Sequence, residues 1–114
     1  VKKINTGKAL SGTMNPRELR RFFWKILFNY GWVQREQKRT RGTRCWFWGS
    51  HKDEKGYGQF WWKGRAQWVH RVSYCHFIKD IPEGVEIDHI CKIPCCVNPE
   101  HLRIRTVQEN RSTR

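Results

Sequence analysis

Residues 88–110 read DHICKIPCCVNPEHLRIRTVQEN and crowd metal ligands and proton carriers into one short stretch. Cys91, Cys96 and His101 are each separated by four residues, so a short loop can turn all three toward one ion. Cys45, upstream, is the candidate fourth ligand, and a closed Cys3His set suits structural Zn2+. A register through Cys95 would leave unequal spacings of three and five residues, which favours Cys96. Asp88 and His89 precede the first of these cysteines, and Asn110 falls on the expected opening turn of a helix, so these three remain for a second, catalytic task. The alternative makes His89 a zinc ligand with Asp88 hydrogen-bonded to an imidazole in support. On spacing alone, Asn110 is a helix-surface amide.

Five cysteines are an odd number, and three of them lie within six residues beside His89 and His101, which fits a disulfide framework poorly and metal binding well. Cys75 reads as a small buried apolar residue and Cys95 as the spare neighbour of Cys96. His51, His70 and His76 stand in no comparable arrangement, and core or surface roles are expected for them.

The elements that must position these groups belong to a 114-residue chain, a length that suits one domain with limited means of burying a core. An internal metal staple would help it. Lys and Arg number 23 against 10 Asp and Glu, a net charge of +13, which points to a polyanionic partner, most simply nucleic acid, with an anionic membrane as the lesser rival. No run approaches the roughly 18 apolar residues of a membrane span, and VKKINTGKALSG lacks the apolar core of a signal peptide. A soluble, cytoplasmic protein is the expectation.

Asn15, Pro16 and Glu18 form an N-cap, an N1 proline and a capping-box acid, and Gly31 supplies a stop, which predicts a helix over 16–30. Leu19, Phe22, Phe23, Ile26, Leu27 and Tyr30 give it an apolar stripe. Arg17, Arg21 and Lys25, with Trp24 and Phe28 among them, form the opposite, DNA-facing side. Residues 1–14 read as a flexible lead-in. The stretch REQKRTRGTR reads as an arm whose Arg35, Lys38, Arg39, Arg41 and Arg44 track phosphates. The segments 45–49 and 57–64 are expected to pair as an aromatic hairpin across SHKDEKG. Five of the seven tryptophans lie between Trp46 and Trp68, a density read as core and hairpin packing before base stacking. A helix over 68–78, a break at IPEG, strands at 85–87 and 102–105, and a last helix capped by Thr106 and Glu109 complete the order.

With GYGQF, VHRVSY, DHIC, CCVNPEHL and EN in that order, residues 45–112 resemble the His-Me finger (HNH) endonucleases, in the zinc-containing branch found among homing and phage nucleases. The resemblance implies a small single α+β domain with a zinc-stapled ββα-metal core at 45–114, preceded by a DNA-contacting extension at 1–44. It implies His89 as general base, Asp88 and Asn110 as holders of a catalytic Mg2+ or Mn2+, and Cys45, Cys91, Cys96 and His101 as zinc ligands. The middle asparagine of the family name falls at His101, so zinc replaces that brace and Asn98 is a turn residue. Arg65 or Arg71 serves the scissile phosphate. The implied activity is hydrolysis of duplex DNA, by a homodimer if the target is palindromic.

The chemistry fits these residue types. An imidazole can deprotonate water near neutral pH, and a hard cation prefers the oxygens of Asp88 and Asn110. The rival is a zinc-stabilised DNA-binding module without catalysis, which explains charge and zinc but gives Asp88, His89 and Asn110 no reason to stand together.

Overall fold

The computed structural model describes residues 8–27 and 40–106. Helix α1, Pro16–Trp24, starts on the expected capping box: Asn15 Oδ1 accepts from the Glu18 N–H at 2.8 Å, and Glu18 Oε1 accepts from the Asn15 N–H at 2.9 Å. The helix does not run on through Ile26 and Leu27 as its apolar stripe predicts. Lys25 closes the last turn, and β1, Ile26–Leu27, pairs antiparallel with β2, Phe47–Trp48. Strand pairing buries Ile26 as a helix would and also satisfies the backbone of β2, so tertiary context overrides the periodicity. Gly49 permits the approach, because a Cβ there would lie 2.7 Å from Leu27 Cγ.

The aromatic hairpin forms with a different partner from the expected one. β3, Gln59–Trp62, pairs with β4, Arg65–Trp68, and not with the segment 45–49. The cause is local. Lys63 and Gly64 have φ of 54° and 75°, the signature of a two-residue I′ turn, and closing so short a loop costs less entropy than spanning 50–56. The 50–56 segment is an ordered connector in which Asp53 Oδ1 accepts from the Lys55 and Tyr57 N–H groups at 3.0 and 2.9 Å.

Helix α2, Val69–Phe77, follows β4 directly and is buried on most sides, from Val69 to Cys75. It packs against the β3–β4 hairpin on one side and against the second hairpin, β5 Val85–His89 with β6 Leu102–Thr106, on the other. Ser73 Oγ donates to the Val97 carbonyl at 2.6 Å and docks the cysteine loop onto α2. β5 reaches two residues beyond the expected end, in a register that sets Asp88 opposite Arg103 and His89 opposite Leu102.

Phe22, Trp48 and Phe60 meet at ring-centroid distances of 5.7 to 6.0 Å and centre the core. Trp48 and Trp62 are fully buried, which is the packing role expected of this aromatic density, whereas Trp24 and Trp61 are exposed. Residues 8–14 are packed and not the free lead-in expected from their polarity: Leu10 exchanges backbone hydrogen bonds with Ile81 at 2.9 and 2.8 Å, and Met14 is buried. Besides the two apolar side chains and the backbone edge at Ile81, the Gly12 N–H donates to Asp80 Oδ1 at 3.0 Å and the Met14 N–H to His76 Nδ1 at 2.9 Å. The architecture is α+β, with an N-terminal helix, β-hairpins and a metal-stapled ββ core of the His-Me finger type. The segment expected to form the last helix, with Glu109 and Asn110, lies outside the described residues.

Candidate active site and metal centre

The loop between β5 and β6 folds back so that ligand atoms of Cys45, Cys91, Cys96 and His101 all lie within 4.8 Å of one another. His101 Nδ1 is 3.5 Å from Cys45 Sγ and 3.4 Å from Cys96 Sγ. Tetrahedral zinc bonds of about 2.0–2.3 Å give ligand-to-ligand edges of roughly 3.5–3.8 Å, so donor set and spacing both suit that ion. Cys95 stands outside the cluster, and its carbonyl instead accepts from the Trp48 N–H at 2.8 Å. Hydrogen bonds with Cys45 and Cys96 push the Cys91 thiol far down, while those with Cys45 and Cys91 push Cys96 up. Three sulfurs this close favour thiolates only beside a compensating charge, which a divalent cation would supply.

The orientation of His101 is set by residues that spacing alone does not reveal. Its Nε2 lies 2.9 Å from Thr43 Oγ1 and 3.1 Å from the Thr43 carbonyl. Thr43 Oγ1 donates to the Thr40 carbonyl at 3.1 Å, so Nε2–H is the donor to Thr43 and the Nδ1 lone pair faces the sulfurs. Asn98 caps the short 3-10 turn Pro99–His101 and donates from Nδ2 to the Arg44 carbonyl at 2.7 Å, tying both halves of the cluster together. The one sequence signal for this brace was the Asn-Pro pair that starts the turn.

His89 ends β5 outside the ligand cluster. Its Nε2 is 3.0 Å from the carbonyl of Cys96, so Nε2–H donates there and Nδ1 is left as the proton acceptor. The ring packs on His70 at 4.7 Å and Tyr57 at 5.8 Å between centroids. Burial holds the His89 imidazole below its usual range, against the opposing pull of Cys91.

Strand alternation sends Asp88 to the other face of β5. There Asp88 Oδ2 is 3.1 Å from Arg103 Nε and 3.6 Å from Arg105 Nη1, two ion pairs that the sequence reading did not anticipate. The signal for them was the alternating RIR of β6, which places both arginines on the Asp88 face. Asn110 lies outside the described residues.

Arg65 and Arg71 line one cleft together with Lys8 and Lys63. Arg71 is buried and donates to the Lys8 carbonyl, whereas Arg65 is exposed. Of the candidate DNA contacts, Arg17, Arg41 and Arg44 are exposed. Arg21 lies over the Phe60 ring at 4.5 Å and Lys25 approaches it at 5.9 Å, so both are partly engaged with the core edge. Arg35, Lys38 and Arg39 fall outside the described residues. No helix among those residues is long and apolar enough to cross a membrane.

Residues 67–112 match the family model described as HNH endonuclease. The chain is 38% identical over 76 residues to "Protein 2.8" of Escherichia phage T7, an alignment covering 66% of this chain and 52% of the phage protein. It is 35% identical over 66 residues to "Protein 7.7" of the same phage, covering 58% and 51% respectively. The chain thus spans about half the length of these curated relatives. No solved structure matches it. The family match takes in β5, the cysteine loop and β6, and with three of the four clustered ligands inside it, the chain has an HNH endonuclease-like fold and is related to these phage proteins.

Proposed function

We propose that this protein is a metal-dependent endonuclease of duplex DNA. One observation carries the reading: the His89 imidazole stands outside the Cys3His cluster yet is hydrogen-bonded to the backbone of a cluster ligand, Cys96, at 3.0 Å. A ring held that way is oriented by the cluster's backbone without being a ligand, which leaves Nδ1 available for proton transfer.

In this mechanism Cys45, Cys91, Cys96 and His101 would hold the structural zinc. A Mg2+ or Mn2+ ion held by Asp88 and Asn110 would supply charge neutralisation at the phosphate. His89 Nδ1 takes a proton from water, the water oxygen bonds to phosphorus, and one ester P–O bond breaks as its oxygen leaves. Arg65, exposed on the shared cleft, and Arg71, buried in its wall, are the candidates for drawing the DNA backbone against the protein, and the exposed Arg17, Arg41 and Arg44 extend the basic surface. Residues 1–44 would act as the DNA-contacting extension and 45–114 as the nuclease core, working in the cytoplasm, with a homodimer expected if the target is palindromic.

A supercoiled-plasmid assay tests the proposal: nicked or linear product is expected with Mg2+ or Mn2+ and none with a chelator. Inert protein across divalent ions would leave the second reading, a zinc-stabilised DNA-binding module without catalysis. The ion pairs of Asp88 favour that second reading, since two guanidinium groups oppose a cation at the same carboxylate. They also allow a finer check. Exposed pairs are worth about 0.2–1 kcal/mol each, so Arg103→Gln should lower the Mg2+ concentration for half-maximal cleavage by roughly 1.4- to fivefold. An unchanged or raised requirement would mean that Asp88 does not bind the ion.

A further inference from the structure

Helix α1 turns Phe22 into the core and sets Arg17, Arg20, Arg21 and Trp24 on its other side, at spacings of three and four residues. All four are exposed, and Trp24, at 88%, is the most exposed large apolar side chain among the described residues. Single exposed apolar residues are ordinary, but an indole among three arginines on one helix face is a specific composition. Trp24 and Arg20 also line an open groove of about 500 Å³ with Pro16, Leu19 and Phe23. Arg21, one turn before Trp24, donates to the Trp61 carbonyl, so a second indole, 63% exposed on the outer face of β3, stands beside the same arginine.

Charge selects the occupant of this face. The acid of α1, Glu18, is turned away to cap Asn15 and to accept from Trp62 Nε1 at 3.2 Å, so the exposed side carries arginines alone. A second copy of the chain would bring its own net charge of +13 against the first, and like charges repel. A polyanion is attracted instead. Between the forms of DNA, the indole decides. It offers one N–H donor at its edge and two broad π-faces. Bases in a duplex bury their faces in the stack and show only their edges, whereas unpaired bases offer faces to an aromatic ring.

We infer that the exposed face of α1 binds unpaired DNA, with a base stacked on Trp24, phosphates held by Arg17, Arg20 and Arg21, and Trp61 as a second platform. The bond from Arg21 to Trp61 does not stand in the way, because a guanidinium carries more donors than that one contact uses. The inference rests on the nuclease reading for the duplex that is cut and adds the unpaired stretch beside it. The favoured substrate is then a duplex that opens into a single strand, ahead of a fully paired one.

The test measures the affinity of the full, zinc-loaded protein for a blunt duplex and for the same duplex with an unpaired tail, with Ca2+ in place of Mg2+. A tail of about ten adenine nucleotides lies within the roughly 4–16 that single-strand sites cover, and a matching tail with its bases removed serves as the control. The adenine tail should tighten binding by about tenfold or more, and the abasic tail should lose most of that gain, because it keeps the phosphates and offers nothing to stack. Trp24→Ala should lose most of the gain as well, while Trp24→Phe, which keeps a ring, retains part of it. Should Trp24→Ala fail to hold zinc, the abasic comparison on the wild type still decides. An abasic tail as good as the adenine tail would mean phosphate contacts alone and overturns the stacking surface. So does a full gain in a zinc-loaded Trp24→Ala. Equal affinity for tailed and blunt duplexes, from protein that cuts the blunt one with Mg2+, overturns this inference and leaves the nuclease reading standing. A gain from the adenine tail without cleavage in any divalent ion supports the surface and removes the nuclease reading.

Discussion

His89→Ala lowers DNA cleavage by about 10²–10⁴-fold, the span that a positioned general base contributes, and leaves zinc content and folding unchanged. The expectation follows from where the ring sits. It is not among the clustered ligands, so its loss removes no bond to zinc. Its Nε2–H donates to the Cys96 carbonyl, which fixes the face that Nδ1 presents. His89→Gln separates the two roles, because an amide can still donate to that carbonyl but takes no proton from water. Both variants should be equally slow while binding DNA like the wild type. Plasmid cleavage by either within tenfold of the wild type, or zinc loss in both, would return His89 to a structural role.

Withdrawing the zinc unfolds the domain. Structural zinc is worth about 10–16 kcal/mol at neutral pH in small zinc-folded peptides, comparable with or larger than the roughly 5–15 kcal/mol by which whole domains are stable. Here the ion would hold Cys45, just before β2, to the β5–β6 loop, and that loop carries both the Cys96 carbonyl under His89 and the Val97 carbonyl bound by Ser73. Cys91→Ser or His101→Ala should therefore cost most of the ordered signal in near-ultraviolet circular dichroism and abolish cleavage. The wild type should lose the same signal in a strong chelator and regain it with Zn2+. The ligands bind as thiolates and neutral imidazole, so acid competes with the ion and the same collapse should appear as pH falls. A chelated protein with unchanged circular dichroism would show the fold to be independent of the metal.

The two expectations diverge in a useful way. Loss of His89 should take activity and spare structure, whereas loss of a cluster residue should take both, because the His89 ring is oriented by the backbone that the cluster holds.

The sequence by itself determined the features that depend on local chemistry. The equal spacing of Cys91, Cys96 and His101 marked a metal loop, and the capping box at Asn15 placed the start of α1. The order of short motifs pointed to the HNH fold that the family match and the ligand cluster support. What the tertiary structure decided was pairing and direction. Ile26 and Leu27 satisfy a helical period and a strand equally well, and only the open backbone of Phe47–Trp48 settles which is formed. The partner of β3 turned on a two-residue turn, Lys63-Gly64, whose closure favours the nearer strand. Alternation along β5 sends Asp88 toward Arg103 and Arg105 and His89 toward Cys96, His70 and Tyr57. Adjacency on a strand puts two side chains on opposite faces but says nothing of what waits on each, since those partners come from the β5–β6 loop, β6, α2 and the stretch before β3, and only the folded packing brings them near.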